Sequence, residues 1–359
     1  MKKKILVIST NLELNGISSV IMNYFRKINL NKYDITICCG KNINSDYYKE
    51  CKKLGINIIT LPHRKPRTIK YYICMYKSIK KNYFDIVHIH GNSSMMFIEL
   101  LISYLKNIKF RIAHCHNNNC TNKFIHKLFQ PIFKKLCSYN IACSNESGIW
   151  LYGKNNYTVI PNAFELDKFK YKEFDRVDIR EKLGIPLNAF VLGHVGRFNK
   201  QKNQEFLINI MQQQTLKNMY LILVGDGPYS KKIKDMVSST NLANKIIFCG
   251  ETDEPYKYYS SMDLFLFPSK YEGFGLSLLE AQINGLYSIA SINVPSEVNI
   301  TGKVKFLQID KYSIILWIKN IKKIKSKFNY NRNIKSNIDL EKYDINKTIK
   351  ILEDIYDIK

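Results

Sequence analysis

DLFLFPSKYEGFGLSLLEA, residues 263–281, reads as a buried strand, a glycine-bearing loop and an apolar helix in immediate succession. DLFLFPS is a short apolar run closed by a turn signal, and Leu278, Leu279 and Ala281 mark the following helix as largely buried. A strand feeding a helix through a short loop is the repeating unit of a parallel, doubly wound sheet. Gly275 falls near the helix N-terminus, where free N–H groups and the positive end of the helix dipole favour an anion. Glu272 lies in the loop and Glu280 over a turn inside the helix, with seven residues between them. A carboxylate at Glu280 can accept paired hydrogen bonds from vicinal hydroxyls such as those of a ribose. A surface loop followed by a solvated Glu is the plainer reading. The apolar neighbours of Glu280 count against it, because an unpartnered carboxylate is costly inside a buried helix.

The same alternation extends in both directions. AFVLGHVG (189–196), MYLILVGDG (219–227), KIIFCG (245–250) and YSIAS (287–291) are further short apolar runs ending in turn signals. Upstream, KILVIST (4–10), YDITICCG (33–40), INIITLP (56–62), DIVHIHG (85–91) and FRIAHCH (110–116) read as buried parallel strands. YNIACS and YTVIPNA add two short ones, and 18–28, 93–105 and 124–137 show helical spacing. The charged, apolar-poor stretch 165–182 separates the two sets. These patterns predict an α/β protein of two Rossmann-like domains facing each other across a cleft. The expected division is 1–168, a linker at 169–186, and 187–359. The last helical pattern, 343–358, carries an apolar stripe that must dock, with the first domain as the candidate surface.

Bulk properties narrow the class. The 359 residues are 45% hydrophobic and 24% charged, a globular composition. No window approaches 18 uninterrupted apolar residues, and the nearest, 95–105, is broken by Glu99. The opening MKKKILVIST has too short an apolar run for a signal peptide and reads better as a first strand. Nine cysteines without a CxxC pair or repeated spacing suggest reduced thiols in a cytoplasm. His114, Cys115, His116 and Cys120 alternate faces and cannot converge on one metal ion. The net charge is +25, of which +17 lies in residues 1–175 and +8 in the remainder. Such a field attracts phosphate-bearing substrates, an anionic membrane face or nucleic acid. No nucleic-acid module or interleaved aromatic and basic signature accompanies it, so nucleic acid is not an expected partner.

Other segments carry chemistry. In GHVGRFNKQKN (193–203), Arg197 and Lys202 follow a buried strand at the edge where open α/β sheets bind ligands. Two fixed cations there would stabilise a departing pyrophosphate more in the transition state than before it. Read singly, they are two exposed basic residues in a basic protein. In IAHCHN (112–117), His114 and His116 share one face, and either could position or deprotonate a hydroxyl. A packed, hydrogen-bonded histidine is the bland alternative. Gly16, between the first strand and a helix, could let the backbone approach a phosphate or sugar. ETDEP (251–255) reads as a turn rather than an acidic metal site. NKFIHKLFQPIFKKLC (122–137) interleaves apolar residues with Lys123, Lys127, Lys134 and Lys135, and Pro131 should kink or break it. It could lie on an anionic membrane or simply pack on the sheet.

In this order the segments resemble the retaining GT-B glycosyltransferases of family four, especially bacterial enzymes of capsule and exopolysaccharide assembly. The resemblance runs from Lys4 to about Gly302. It includes the Gly16 loop, DIVHIHG, RIAHCHN, IACSNES, VIPNAFELDKF, VGRFNKQKN, LVGDGP and YEGFGLSLLEA. It implies metal-independent, retaining transfer from a nucleotide diphosphate sugar, with UDP the commonest carrier, to a glycan or lipid-linked acceptor. Arg197 and Lys202 would then bind the pyrophosphate, Glu280 the ribose and Glu272 the donor sugar. Backbone N–H groups of Phe274 and Gly275 would line the phosphate and sugar. His116 aligns better than His114 with the family's active-site histidine. Localisation would be cytoplasmic, with peripheral attachment to the inner face of the cell membrane through 122–137. Two departures stand out: Asn15 replaces one of two glycines usual in the first loop, and Gly285-Leu286-Tyr287 lacks a usual proline. No second carboxylate near IAHCHN could serve as a covalent nucleophile, unlike the pair in retaining hydrolases. A nucleotide-sugar 2-epimerase and a non-catalytic sugar-binding partner subunit are the competing readings. Donor incubated without acceptor separates the first, and the presence of all five charged or histidine residues argues against the second.

Overall fold

The computed structural model describes every residue except 65–67, 80–82, 121, 214, 215, 217, 328–331, 333–339 and 359. The chain forms two compact units, residues 1–164 with 341–359, and residues 165–340.

The first unit is built on seven strands, Lys3–Ile8 (β1), Tyr33–Gly40 (β2), Asn57–Leu61 (β3), Ile86–Gly91 (β4), Phe110–Cys115 (β5), Tyr139–Ala142 (β6) and Thr158–Val159 (β7). Its helices are Gly16–Lys27 (α1), Ser45–Lys53 (α2), Thr68–Ser78 (α3), Phe97–Leu105 (α4), Lys123–Leu136 (α5) and Asn145–Tyr152 (α6). The strands pair in the order β3-β2-β1-β4-β5-β6-β7, all parallel. Helices cover a parallel sheet on both faces, so its strands are apolar over most of their length. Ile5, Leu6, Val7 and Ile8 are accordingly all buried.

The second unit contains Leu166–Phe169 (α7), Glu173–Lys182 (α8), Phe190–Val195 (β8), Gln204–Met211 (α9), Met219–Val224 (β9), Ser230–Ser238 (α10) and Ile246–Gly250 (β10). Then follow Pro255–Ser261 (α11), Leu264–Phe267 (β11), Leu276–Ile283 (α12), Tyr287–Ser291 (β12), Val304–Leu307 (β13) and Ile314–Ser326 (α13). The six strands run parallel in the order β10-β9-β8-β11-β12-β13. Each sheet reverses its winding once, at β1/β4 and at β8/β11. Such switch points are where open α/β sheets bind ligands, beyond the carboxyl ends of the strands.

Two features differ from the sequence reading, and the docking of the last helix follows it. The stretch expected as a linker, 169–186, contains α8, whose Arg176 and Arg180 are both buried. Their guanidiniums donate to the two carboxylate oxygens of Asp263, each at 2.8 Å. YTVIPNA yields only the two-residue β7, and β13 appears where no strand was expected. The last helix, Ile345–Asp357 (α14), belongs to the first unit. Ile345, Ile349, Leu352 and Ile355 form its buried stripe. Lys3 Nζ donates to Tyr356 O at 2.7 Å, and Tyr33 OH donates to Asp357 at 3.0 Å. Backbone bonds from Phe164 N to Tyr343 O (3.1 Å) and from Ile345 N to Phe164 O (3.2 Å) join the two chain segments of this unit.

Candidate active site

In the second unit, the loops after β8 and β11 leave the sheet at its switch point and carry the expected donor-site residues. Lys202 reaches across to Glu272, with Nζ–Oε1 at 2.7 Å and both side chains mostly buried. Its ammonium also lies 4.7 Å from the centroid of Phe267. Gly196 leaves room for the lysine stem, because a Cβ there would stand 3.3 Å from Lys202 Cδ. Arg197, in the same loop, is exposed. Gly275 caps α12 with φ +99°, a left-handed conformation that favours glycine. A Cβ on Gly275 would also crowd Phe267 and Val294 at 3.3 Å. Phe274 beside it is buried, and the backbone N–H groups entering α12 form the helix's positive end.

Glu280 is half-buried on α12, one of its oxygens accepting from Tyr259 OH at 2.7 Å. Burial pushes its carboxyl up to about 7, opposed first by the Tyr259 hydrogen bond and then by the charge of Lys202. The second unit thus gathers Lys202, Glu272, Gly275 and Glu280 around the loops that follow two adjacent strands.

In the first unit, His88 and His90 on β4, His114 on β5 and His116 just past the end of β5 cluster on the β4 side of the other switch point. His90 and His114 are paired across β4 and β5. His88 Nδ1 meets Tyr356 OH at 2.6 Å, and its Nε2 lies 3.3 Å from His114 Nδ1. His90 Nδ1 and His116 Nε2 are 2.8 Å apart, and His116 Nδ1 is 3.3 Å from Asn162 Oδ1. His114 is fully buried, and among the described residues its Nε2 has no hydrogen-bond partner. His116 is the outer of the two candidates at 8% exposed, yet both of its ring nitrogens are engaged. Burial pulls His116 down to about 4, so it is neutral at neutral pH and a poor base there.

The four residues weighed as a zinc set from sequence are not the ones brought together. Among the described residues, His88, His90 and His114 each offer a ring nitrogen within 4.8 Å of the others and could hold an ion. That trio has no carboxylate to offset a divalent charge. Gly16 opens α1, and Asn15 takes the place of a glycine as its cap. The Asn15 side chain accepts from Ser18 N at 3.1 Å in an extended conformation that needs no glycine.

The helix expected over 122–137 runs unbroken through Pro131. His126 and Phe133 face inward, with His126 stacked 4.4 Å from Trp150. Phe124 (76% exposed), Leu128 (59%) and Ile132 (46%) face outward, flanked by exposed Lys123, Lys127 and Lys135. This apolar stripe is therefore not used to pack on the sheet. No helix among the described residues is long and apolar enough to cross a membrane.

Sequence reasoning did not assign roles to His90, Asn162 or Tyr259. The first two stood in quoted motifs, DIVHIHG and VIPNA. Tyr259 stood in YKYYSS, which has no distinguishing pattern.

Comparison with known proteins adds to this geometry. The model described as Glycosyltransferase Family 4 matches residues 14–168, and that described as Glycosyl transferases group 1 matches residues 175–340. The capsular polysaccharide biosynthesis glycosyltransferase CapH of Staphylococcus aureus is 28% identical, covering 98% of each chain. An Escherichia coli UDP-Gal:alpha-D-GlcNAc-diphosphoundecaprenol alpha-1,3-galactosyltransferase is 26% identical over 77% of this chain and 76% of its own. The crystal structure of HepE from Anabaena, in complex with UDP and glucose, superimposes with a TM-score of 0.80 at 17% identity. It covers 99% of this chain and 100% of that one.

Proposed function

Because the chain belongs to the glycosyltransferases, with the GT-B fold and relatives that build surface polysaccharide, we propose that it moves a sugar from a UDP-linked donor to a lipid-linked glycan with retention of configuration. The observation that carries this reading is the Lys202–Glu272 pair at 2.7 Å beside the α12 N-terminus, with Glu280 on the same helix. Lys202 and Arg197 take the donor pyrophosphate, Glu280 the ribose, and Glu272 the transferred sugar. The N–H groups of Phe274 and Gly275 meet phosphate and sugar. HepE was solved with UDP and glucose, which favours a UDP carrier here. The galactosyltransferase named for its diphosphoundecaprenol substrate favours a lipid-linked acceptor bound by the first unit.

In the step itself, the bond between the anomeric carbon and the diphosphate oxygen breaks, giving an oxocarbenium-like ion. The acceptor hydroxyl attacks from the same face. Its proton passes to the departing phosphate oxygen rather than to His116, which burial keeps unprotonated and only weakly basic at neutral pH. His116 stays neutral, and for it to meet the acceptor one of its bonds, to His90 or Asn162, must be exchanged. Positive charge from Arg197, Lys202 and the α12 N-terminus does what a divalent ion would otherwise do. Turnover of a UDP-sugar with a polyprenyl-diphosphate-sugar acceptor is therefore expected to persist in saturating EDTA. NMR of the product should show the donor's anomeric configuration kept. Loss of turnover on chelation, restored by magnesium or manganese, overturns metal independence, and an inverted product overturns retention.

The outward stripe of α5 supports peripheral attachment to an anionic membrane. Each basic residue near such a surface contributes about 1 kcal/mol, and Phe124, Leu128 and Ile132 would enter the headgroup region. In flotation at low salt, the protein is expected to rise with phosphatidylglycerol-containing vesicles and not with phosphatidylcholine alone. Phe124→Asp/Leu128→Asp and Lys127→Glu/Lys135→Glu should each reduce flotation. Unchanged flotation of both double variants removes α5 from the role.

A further inference from the structure

Tyr259 lies on α11 with its side chain fully buried, in a core that includes Phe265 and Phe169 at ring distances of 5.6 and 6.3 Å. Its backbone is fixed too, since Arg332 Nη1 donates to Tyr259 O at 3.1 Å. The phenol has one hydrogen and two acceptors nearby, Glu280 Oε2 at 2.7 Å and Ser277 O at 3.1 Å. The shorter contact, to the group able to carry charge, is the stronger. Burial holds the phenol well above its usual range, so it remains a donor at any working pH. Glu280 Oε1 makes no hydrogen bond among the described residues, and the side chain is only half-buried.

We infer that Tyr259 is a positioning residue for nucleotide binding, tying down one oxygen of Glu280 so that the other is presented to the ribose hydroxyls. This rests on the reading of Glu280 as the ribose ligand. Two consequences follow from elementary chemistry. A carboxylate rotates freely about its last bond unless one oxygen is held, so the phenol removes a freedom that binding would otherwise have to freeze. The hydrogen bond also favours the ionised form, which alone accepts from both ribose hydroxyls.

The charged and titratable groups acting on this carboxylate are Tyr259 from α11 and Lys202 from the loop after β8, the latter already paired with Glu272. Glu280 titrates near neutrality, and ribose selects its ionised form. UDP affinity should therefore rise as pH increases through about 7. Removing the phenol hydroxyl moves that rise to higher pH.

The test is calorimetry with UDP from pH 6 to 9 on wild type, Tyr259→Phe and Glu280→Gln, in buffers of different ionisation enthalpy. The terminal phosphate of UDP titrates identically in all three and cancels in the comparison. Tyr259→Phe should bind about fivefold more weakly at pH 7 and about tenfold more weakly at pH 6, over and above its deficit at pH 9, where only the pH-independent loss of carboxylate orientation remains. It should also release more protons on binding at pH 7. An equal loss at every pH marks a merely structural role and overturns the inference, as does no loss. Should Tyr259→Phe not fold, the wild type decides. It must release more protons on binding UDP between pH 6 and 8 than Glu280→Gln does, and equal release overturns the inference. Glu280→Gln binding UDP as tightly as wild type removes the ribose reading itself.

Discussion

Lys202→Ala is expected to lower sugar transfer by about 10²–10³-fold, the usual cost of removing one preorganised group that meets developing negative charge. Two losses combine. The pyrophosphate loses a cation, and Glu272 is left largely buried without the ammonium 2.7 Å away that offsets its charge. An orphaned carboxylate beside the diphosphate repels it, so UDP affinity should fall as well. Lys202→Ala/Glu272→Gln should recover part of that affinity, because the repelling charge goes with its partner. Glu272→Gln alone should leave UDP affinity near wild type while slowing transfer, since its proposed contact is to the sugar whose bond is breaking. Steady-state kinetics with calorimetry separate these outcomes. Lys202→Ala transferring within threefold of wild type would show that the ammonium serves only to neutralise Glu272.

Asp263→Ala should destabilise the second unit by about 3–5 kcal/mol, against a total of about 5–15 kcal/mol for a typical domain. Asp263 is 2% exposed and accepts three bonds of 2.8 Å, from Arg176 Nη1, Arg180 Nη2 and the backbone N–H of Val191. Its removal strands two buried guanidiniums at the junction of α8, β8 and β11. The loops bearing Lys202 and Glu272 spring from those same two strands, so the site should loosen with the unit. In urea, the transition of the second unit should move to lower denaturant while that of the first stays put, since none of the three partners lies in it. Asp263→Asn keeps an acceptor and the shape and should fall between. An unchanged midpoint for Asp263→Ala would mean the arginines find other acceptors at no cost.

What the sequence made legible was what apolar patterning writes. The strands of both sheets are runs such as ILVI and LILV, and those survive translation into structure almost residue for residue. β13 did not, because VKFL places a lysine in the run. α8 did not because its buried side is not apolar: Arg176 and Arg180 face inward, and only Asp263, some 80 residues later, explains why they can.

The site divides similarly. Glu272, Glu280, Arg197 and Lys202 were visible through spacing and resemblance. The pairing of Lys202 with Glu272 and the bonding of both His116 nitrogens depend on which loops the sheet order makes neighbours. Tyr259 was invisible because its meaning comes from another helix. For residues 122–137 the sequence showed an apolar stripe but not its direction, and Phe124 and Phe133 are equally greasy on paper.

The return of α14 to the first unit sets the order of synthesis against the order of assembly. A ribosome delivers residues 165–340 whole before it delivers Tyr356, which bonds His88, or Asp357, which bonds Tyr33. The second unit can therefore finish folding while the first still has a buried histidine and a sheet flank waiting for the final nineteen residues. Counted from residue 164 to Tyr356, at about 5–20 residues per second, the first unit waits on the order of ten seconds or more. A nascent chain stalled before residue 341 would carry a completed second unit and a first unit lacking its last helix, a vulnerable product for proteases that survey newly made chains.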